Sequence, residues 1–153
     1  MADRLHRSSP QPHSKDLRKG RFSENGRAYH ITTTTWMRRS VFAELEPARI
    51  LIQALMASDR LGRGETLAFV VMPDHLHWRL TLSDTRLQDV VGSMKSVVAH
   101  RIGGRIWQPG YHDHAIRQEE DLRAVARYIV ANPLRAGLAD RIGDYPHWDA
   151  VWL

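Results

Sequence analysis

Leu67-Ala68-Phe69-Val70-Val71-Met72-Pro73-Asp74-His75-Leu76-His77-Trp78-Arg79-Leu80-Thr81-Leu82 decides the fold of this chain. Leu67 to Met72 is a short continuous apolar run, Pro73-Asp74 is a turn signal, and His75 to Leu82 alternates strictly between polar and apolar residues. A short apolar run bounded by a turn signal reads as a buried strand, and strict alternation as a half-buried one, so the stretch predicts two adjacent antiparallel strands. Successive side chains on a strand point to opposite faces. Leu76, Trp78, Leu80 and Leu82 therefore share a core face, while His75, His77, Arg79 and Thr81 share a polar one.

Outward from this hairpin, Ala28 to Trp36 (AYHITTTTW) is β-branched and aromatic and predicts a strand. From Val41 to about Arg60, Leu45, Ile50, Leu51, Ala54 and Leu55 recur at helical spacing. Leu87 to Ile102 predicts a second helix with Val90, Val91, Met94, Val97, Val98 and Ile102 on its apolar side, closed by Gly103-Gly104. A strand around His112 to Arg117 follows, and then Glu119-Glu120-Asp121 opens a third helix that Pro133 ends. The order β-α-β-β-α-β-α contains the split β-α-β arrangement in its first six elements. The expected fold is α+β and ferredoxin-like: a four-stranded antiparallel sheet with two packing helices, plus a C-terminal helix.

Composition narrows the chemistry. The chain has 153 residues, 42% of them hydrophobic and 25% charged, which suits one globular domain. With no cysteine, thiol nucleophiles, disulfide frameworks, iron–sulfur centres and cysteine-ligated zinc fingers are excluded. No apolar run nears the roughly 20 residues of a membrane helix, and the N-terminus carries no signal-peptide core, so a cytoplasmic address is expected. The net charge of +5 is uneven: residues 1–27 hold seven Arg and Lys against three acids, and the remainder 15 against 14. Residues 1–27 also carry Pro10, Pro12, Gly20, Gly26 and four Ser, and read as a disordered basic arm. Residues 28–153 read as a single domain. Such an arm suits a phosphate backbone, and equally a solvated tail.

Two imidazoles at i and i+2 on one strand face, His75 and His77, are close enough to share one divalent ion. On the third helix, Leu122, Val125, Ala126 and Ile129 form the apolar stripe, with Tyr128 on its flank and Asn132 one turn further on. By themselves these are equally a surface histidine pair and a boundary tyrosine before a helix-ending Asn-Pro.

Together, in this order, they resemble the single-tyrosine HUH transposases of the IS200-like type, and more closely their REP-associated tyrosine transposase branch. The resemblance rests on His75-Leu76-His77 after Val70-Val71-Met72-Pro73-Asp74, and on Ile106-Trp107-Gln108-Pro109-Gly110-Tyr111-His112-Asp113-His114-Ala115-Ile116-Arg117. It continues through Arg127-Tyr128-Ile129-Val130-Ala131-Asn132-Pro133 and Leu134-Arg135-Ala136-Gly137-Leu138. It spans about residues 28–152. The resemblance implies a metal-dependent endonuclease and strand transferase for single-stranded DNA beside a hairpin. Tyr128 is the implied nucleophile, forming a 5′-phosphotyrosine, and His75, His77 and Asn132 hold Mg²⁺ or Mn²⁺. His114 is a candidate base. Arg79, Lys95, Arg101, Arg105, Arg117 and Arg127 are candidates for backbone contacts, and Trp107 and Tyr111 for base stacking. Monomer and homodimer both fit. Two other readings remain: a metal hydrolase using His75/His77 and His112/Asp113/His114 with water as nucleophile, and a non-catalytic nucleic-acid-binding module.

Overall fold

The computed structural model describes residues 27–116, 124, 127 and 147–150. Strand β1 (Ala28–Thr34) leads through two short 3₁₀ turns, Trp36–Arg38 and Val41–Ala43, into helix α1 (Leu45–Arg60). Strands β2 (Gly64–Met72) and β3 (His75–Leu82) form the hairpin, helix α2 (Leu87–Ile102) follows, and then come β4 (His112–Ile116) and β5 (Trp148–Ala150). The strand order is β4-β1-β3-β2-β5, with every neighbouring pair antiparallel. The first four strands form the expected ferredoxin-like sheet, and β5 extends its edge beside β2. Among the described residues no helix is long and apolar enough to cross a membrane.

The expected helix from Val41 begins four residues later, at Leu45. Val41–Ala43 instead forms a 3₁₀ turn that buries Phe42. The backbone N–H of Phe42 donates to the Pro73 carbonyl (2.9 Å), tying this turn to the tip of the β2–β3 hairpin. The turn at Trp36–Arg38 has Met37 and Arg38 at φ 56° and 53°, a left-handed path that costs energy in residues with a Cβ.

Both helices pack on one face of the sheet. Ala48, Leu51, Ala54 and Leu55 of α1, with Val90, Val91, Met94 and Val98 of α2, meet Tyr29, Ile31, Phe69, Val71, Leu76, Trp78 and Leu80. Trp78 is fully buried, and its indole N–H donates to Thr66 Oγ1 (2.9 Å), so the largest ring in the core leaves no donor unpaired. The Thr66 hydroxyl in turn donates to Asp59 Oδ1 at the end of α1 (2.8 Å).

A bulge between Thr66 and Ala68 sets the parity of β2 against β3. After it, Phe69 pairs with Trp78 and Val71 with Leu76 on the helix face, while Val70 stands opposite His77 and Met72 opposite His75. The bulged Leu67 joins Ala28 and Ile116 in a second small apolar cluster. Because β2 has strands on both sides and apolar residues on both faces, Leu67 to Met72 is buried without a break, as its sequence implied.

Candidate active site

The face turned away from α1 and α2 carries the polar half of every alternating strand. On β3 it presents His75, His77, Arg79 and Thr81. On β1, Thr34 lies opposite His75, Thr32 opposite His77 and His30 opposite Arg79. On β4, His112 lies opposite Thr32 and His114 opposite His30. Backbone register alone therefore collects five histidines on one sheet face.

Two of them form a fixed pair. The rings of His75 and His77 are 4.9 Å apart, centroid to centroid, and stand edge to face at 88°. Each has its Nδ1 engaged. His75 Nδ1 lies 2.8 Å from Asp74 Oδ1, and the second carboxylate oxygen of Asp74 accepts from Arg38 Nε at 3.0 Å. Burial alone would raise the Asp74 carboxyl, but the hydrogen bond and charge of His75, followed by Arg38, hold it below the usual aspartate range. His77 Nδ1 lies 3.1 Å from His30 Nε2 and 3.3 Å from Thr32 Oγ1. With both Nδ1 atoms engaged, a metal bond from either ring uses Nε2, and the neighbours that occupy Nδ1 fix the ring planes.

The donor set fits a divalent ion that takes further ligands. Two imidazoles share one side of a site, and among the described residues no group of three or more His, Asp or Glu forms a metal cage. A hard ion such as Mg²⁺ or Mn²⁺ needs additional oxygen donors to complete its shell. Asn132 and Tyr128, the other two residues expected at this site, lie outside the described residues, as do Arg117 and residues 1–26 of the basic arm. The two H-x-H pairs do not converge. Strand β1 runs between them, which places β3 and β4 about 10 Å apart at the sheet spacing of ~4.8 Å. His112 and His114 are also exposed, whereas His75 and His77 are half-buried.

The remaining expected residues divide by burial. Arg79, a candidate backbone contact by sequence, is fully buried, with Nη1 donating to the Tyr29 carbonyl (3.1 Å) and, among the described residues, no hydrogen-bond partner for Nε and Nη2. Burial lowers its guanidinium to about 10. Strand alternation names a residue's face and says nothing of what covers that face, which is why Arg79 reads as a surface contact from sequence. Trp107 and Tyr111 are likewise buried in the main core and offer no stacking surface. Trp107 packs 5.4 Å from Phe42, and its N–H donates to the Lys95 carbonyl (3.2 Å). Lys95 donates its ammonium to the carbonyls of Gln108 (3.0 Å) and Gly110 (2.7 Å), so it braces the loop before β4.

Arg101 and Arg105 are exposed, Arg101 bonded to Gln53 Oε1 (3.0 Å) and Arg105 stacked 4.2 Å above the Trp36 ring. Ala124 and Arg127 are helical and exposed, in the segment expected to form the third helix. Sequence reasoning missed His30, Thr32, Asp74, Arg38 and Trp36. The available signal was the alternation of Tyr29 and Ile31 with His30 and Thr32, but only the β1–β3 register shows that His30 meets His77. The His30 ring is pushed down to about 4 by burial first, then by the charges of Arg79 and His114, and so stands neutral beside His77 at physiological pH.

A ferredoxin-like sheet with an H-x-H pair on the face opposite its helices is the arrangement that the resemblance implies for a small DNA-cleaving and joining enzyme. The comparison with known families agrees with that class: the model of the IS200-like transposases matches residues 24–132, well over half the chain. The chain belongs to the IS200-like transposase family and is a transposase. It is 32% identical over 130 residues to the REP-associated tyrosine transposase of Escherichia coli K12, covering 78% of each chain. Its fold matches the solved structure of a REP-associated tyrosine transposase bound to a REP hairpin, with a TM-score of 0.75 and 28% identity over 84% of this chain and 79% of that one.

Proposed function

We propose that this protein nicks and rejoins single-stranded DNA beside REP-type hairpins, in a metal-dependent reaction that passes through a 5′-phosphotyrosine on Tyr128. The observation that carries the reading is the His75–His77 pair, both rings held through Nδ1 and both on the sheet face opposite the helices. His75, His77 and Asn132 are the proposed holders of Mg²⁺ or Mn²⁺. A divalent ion there supplies charge neutralisation at the scissile phosphate.

The protein's own part is positional. Tyr128 Oη attacks phosphorus, the new P–Oη bond forms, and the P–O3′ bond breaks. The 3′ oxygen leaves and takes up a proton, giving a free 3′-hydroxyl, while the 5′ phosphate stays on the tyrosine. The phenolic proton passes to water or to His114, whose exposed side chain shares the sheet face with His30. Attack by a different 3′-hydroxyl on the phosphotyrosine reverses these steps and joins new ends. The bond energy is conserved in the covalent link, so no external energy source enters.

Arg101, Arg105, Arg117 and Arg127 are the proposed backbone contacts, and the stack of exposed Arg105 on half-buried Trp36 gives the strand an amphipathic landing point. Residues 28–153 act as the catalytic unit in this reading, and the basic arm of residues 1–27 holds the hairpin duplex. Incubation of labelled hairpin DNA with Mn²⁺, read on a denaturing gel, tests the proposal. A covalent protein–DNA adduct is expected from the parent and absent from Tyr128→Phe and His75→Ala. Cleavage that survives Tyr128→Phe would refute the tyrosine mechanism.

A further inference from the structure

Of the five histidines gathered on the sheet face, three have no role in the metal pair, and one of these three touches it. His30 stands on β1, two residues along the ladder from the residue that faces His77: the register pairs His30 with Arg79 and Thr32 with His77. Diagonal neighbours on one face are within reach of ring side chains. The two rings lie 5.2 Å apart, centroid to centroid, tilted by 52°, and the contact runs from His30 Nε2 to His77 Nδ1 at 3.1 Å. Thr32 Oγ1 approaches the same Nδ1 at 3.3 Å. β1 lies between β3 and β4, so the position of His30 is fixed by ladders on both sides.

We propose that His30 is a positioning residue for the metal pair: its Nε2 accepts a hydrogen bond from His77 Nδ1–H and so presents His77 Nε2 to the ion. The inference rests on the metal reading of His75 and His77 given above. Its chemistry follows from the two nitrogens of imidazole. A neutral ring that binds metal through Nε2 carries its proton on Nδ1, and a group that accepts that proton fixes both tautomer and ring plane. Asp74 does this for His75 with a carboxylate. His30 does it for His77 with a second imidazole, in the tautomer that keeps its own proton on Nδ1 and leaves Nε2 as acceptor. The arrangement makes the two ligands unequal. His75 is held by a carboxylate, whereas His77 is held by an imidazole.

Two variants of the full-length chain separate this role from simple packing. His30→Gln offers Oε1 as an acceptor near the Nε2 position, and His30→Phe keeps a ring and removes the acceptor. Melting curves establish that both fold. The first readout uses no metal: long-range ¹H–¹⁵N correlation spectra of the histidines, with the His77 signals assigned by their loss in His77→Ala. The parent and His30→Gln are expected to show His77 as one tautomer protonated at Nδ1, and His30→Phe a mixture of the two tautomers. The second readout is Mn²⁺ titration followed by the electron paramagnetic resonance of the free ion. His30→Phe is expected to weaken Mn²⁺ uptake by about 10- to 100-fold, the range seen when such supporting hydrogen bonds are removed, and His30→Gln by only a few-fold.

His77 protonated at Nε2 in the parent overturns the proposal. So does a His30→Phe protein whose spectrum and Mn²⁺ affinity match the parent. If the parent and His77→Ala take up Mn²⁺ equally, it is the metal reading that fails. The metal-free spectra then still decide whether His30 fixes the ring.

Discussion

Acid should destabilise this protein through His30 in a way that one substitution removes. The His30 ring falls to about 4 in the folded chain from an ordinary value of 6.5, because of burial first and then the charges of Arg79 and His114. A histidine with a depressed value favours the fold while neutral. Its contribution is complete above the unfolded value and is lost as pH drops toward the folded one, because the unfolded chain binds a proton that the native chain refuses. Across the window from 6.5 to about 4, one group with this shift withdraws about 3 kcal/mol in full, and about 2 kcal/mol of that between pH 8 and pH 5. Urea unfolding at pH 8, 6 and 5, for the parent and for His30→Gln, measures it. The chain has nine histidines, and the other eight are present in both proteins, so the difference between the two pH profiles reports on His30. The parent should lose about 2 kcal/mol more than His30→Gln between pH 8 and pH 5. Parallel profiles would refute the claim that the fold holds this ring neutral.

Three substitutions elsewhere test the packing that supports the site. Gly64→Ala places a Cβ against the backbone carbonyl of Thr81, which no side-chain rotation can relieve, so a loss of about 1–3 kcal/mol is expected in a thermal melt. Thr66→Val removes the acceptor of the buried Trp78 N–H and the hydroxyl that bonds Asp59, and should cost about 1–3 kcal/mol in denaturant unfolding, with near-UV circular dichroism of the tryptophan altered. Arg79→Met replaces a buried charge, two of whose guanidinium nitrogens have no hydrogen-bond partner among the described residues, with an apolar chain of similar length, and stability should stay level or rise. The salt dependence of DNA binding should be unchanged in this variant; a slope reduced by about one would show that Arg79 reaches phosphate after all.

The parts of the fold legible in the sequence are those where one strand or helix declares its own faces. The alternation of His75–Leu82 gives β3 to the residue, and the apolar spacing of Leu87–Ile102 gives α2 with the same bounds. Both patterns are local, and each is strong enough to survive tertiary packing. Val41–Ala43 is not legible because its apolar residues fit a helical stripe, while the Phe42 N–H is taken by the Pro73 carbonyl, a partner 31 positions away. Trp107 and Tyr111 lie in an irregular segment with no period to mark them as core. Their burial depends on Phe42 and α2, and so on a packing arrangement that only the folded chain displays. His75 and His77 are legible as a pair because they sit two apart on one strand. Their partners divide by the same criterion: Asp74 is adjacent in sequence, whereas His30 is 47 residues from His77 and meets it only through the β1–β3 register.

That register ties the site to the core more tightly than either implies alone. Two site residues are flanked on both sides by core residues of the opposite face: His30 by Tyr29 and Ile31, His77 by Leu76 and Trp78. Because the side-chain period is two, a slip of one residue in β3 would bury both histidines under the helices and turn Trp78 out, which the core does not permit. The bulge at Leu67 serves the same end from the other side. Were Leu67 paired in a regular ladder instead of bulged, β2 would present Ala68 and Val70 to the helices in place of Phe69 and Val71, and the wall opposite Leu76 and Trp78 would lose its large side chains. The energy that fixes the histidine pair therefore lies mainly in apolar burial beneath the sheet. The hydrogen bonds to Asp74, His30 and Thr32 add the last rotation of each ring. A pair built this way tolerates little change in the strands that hold it.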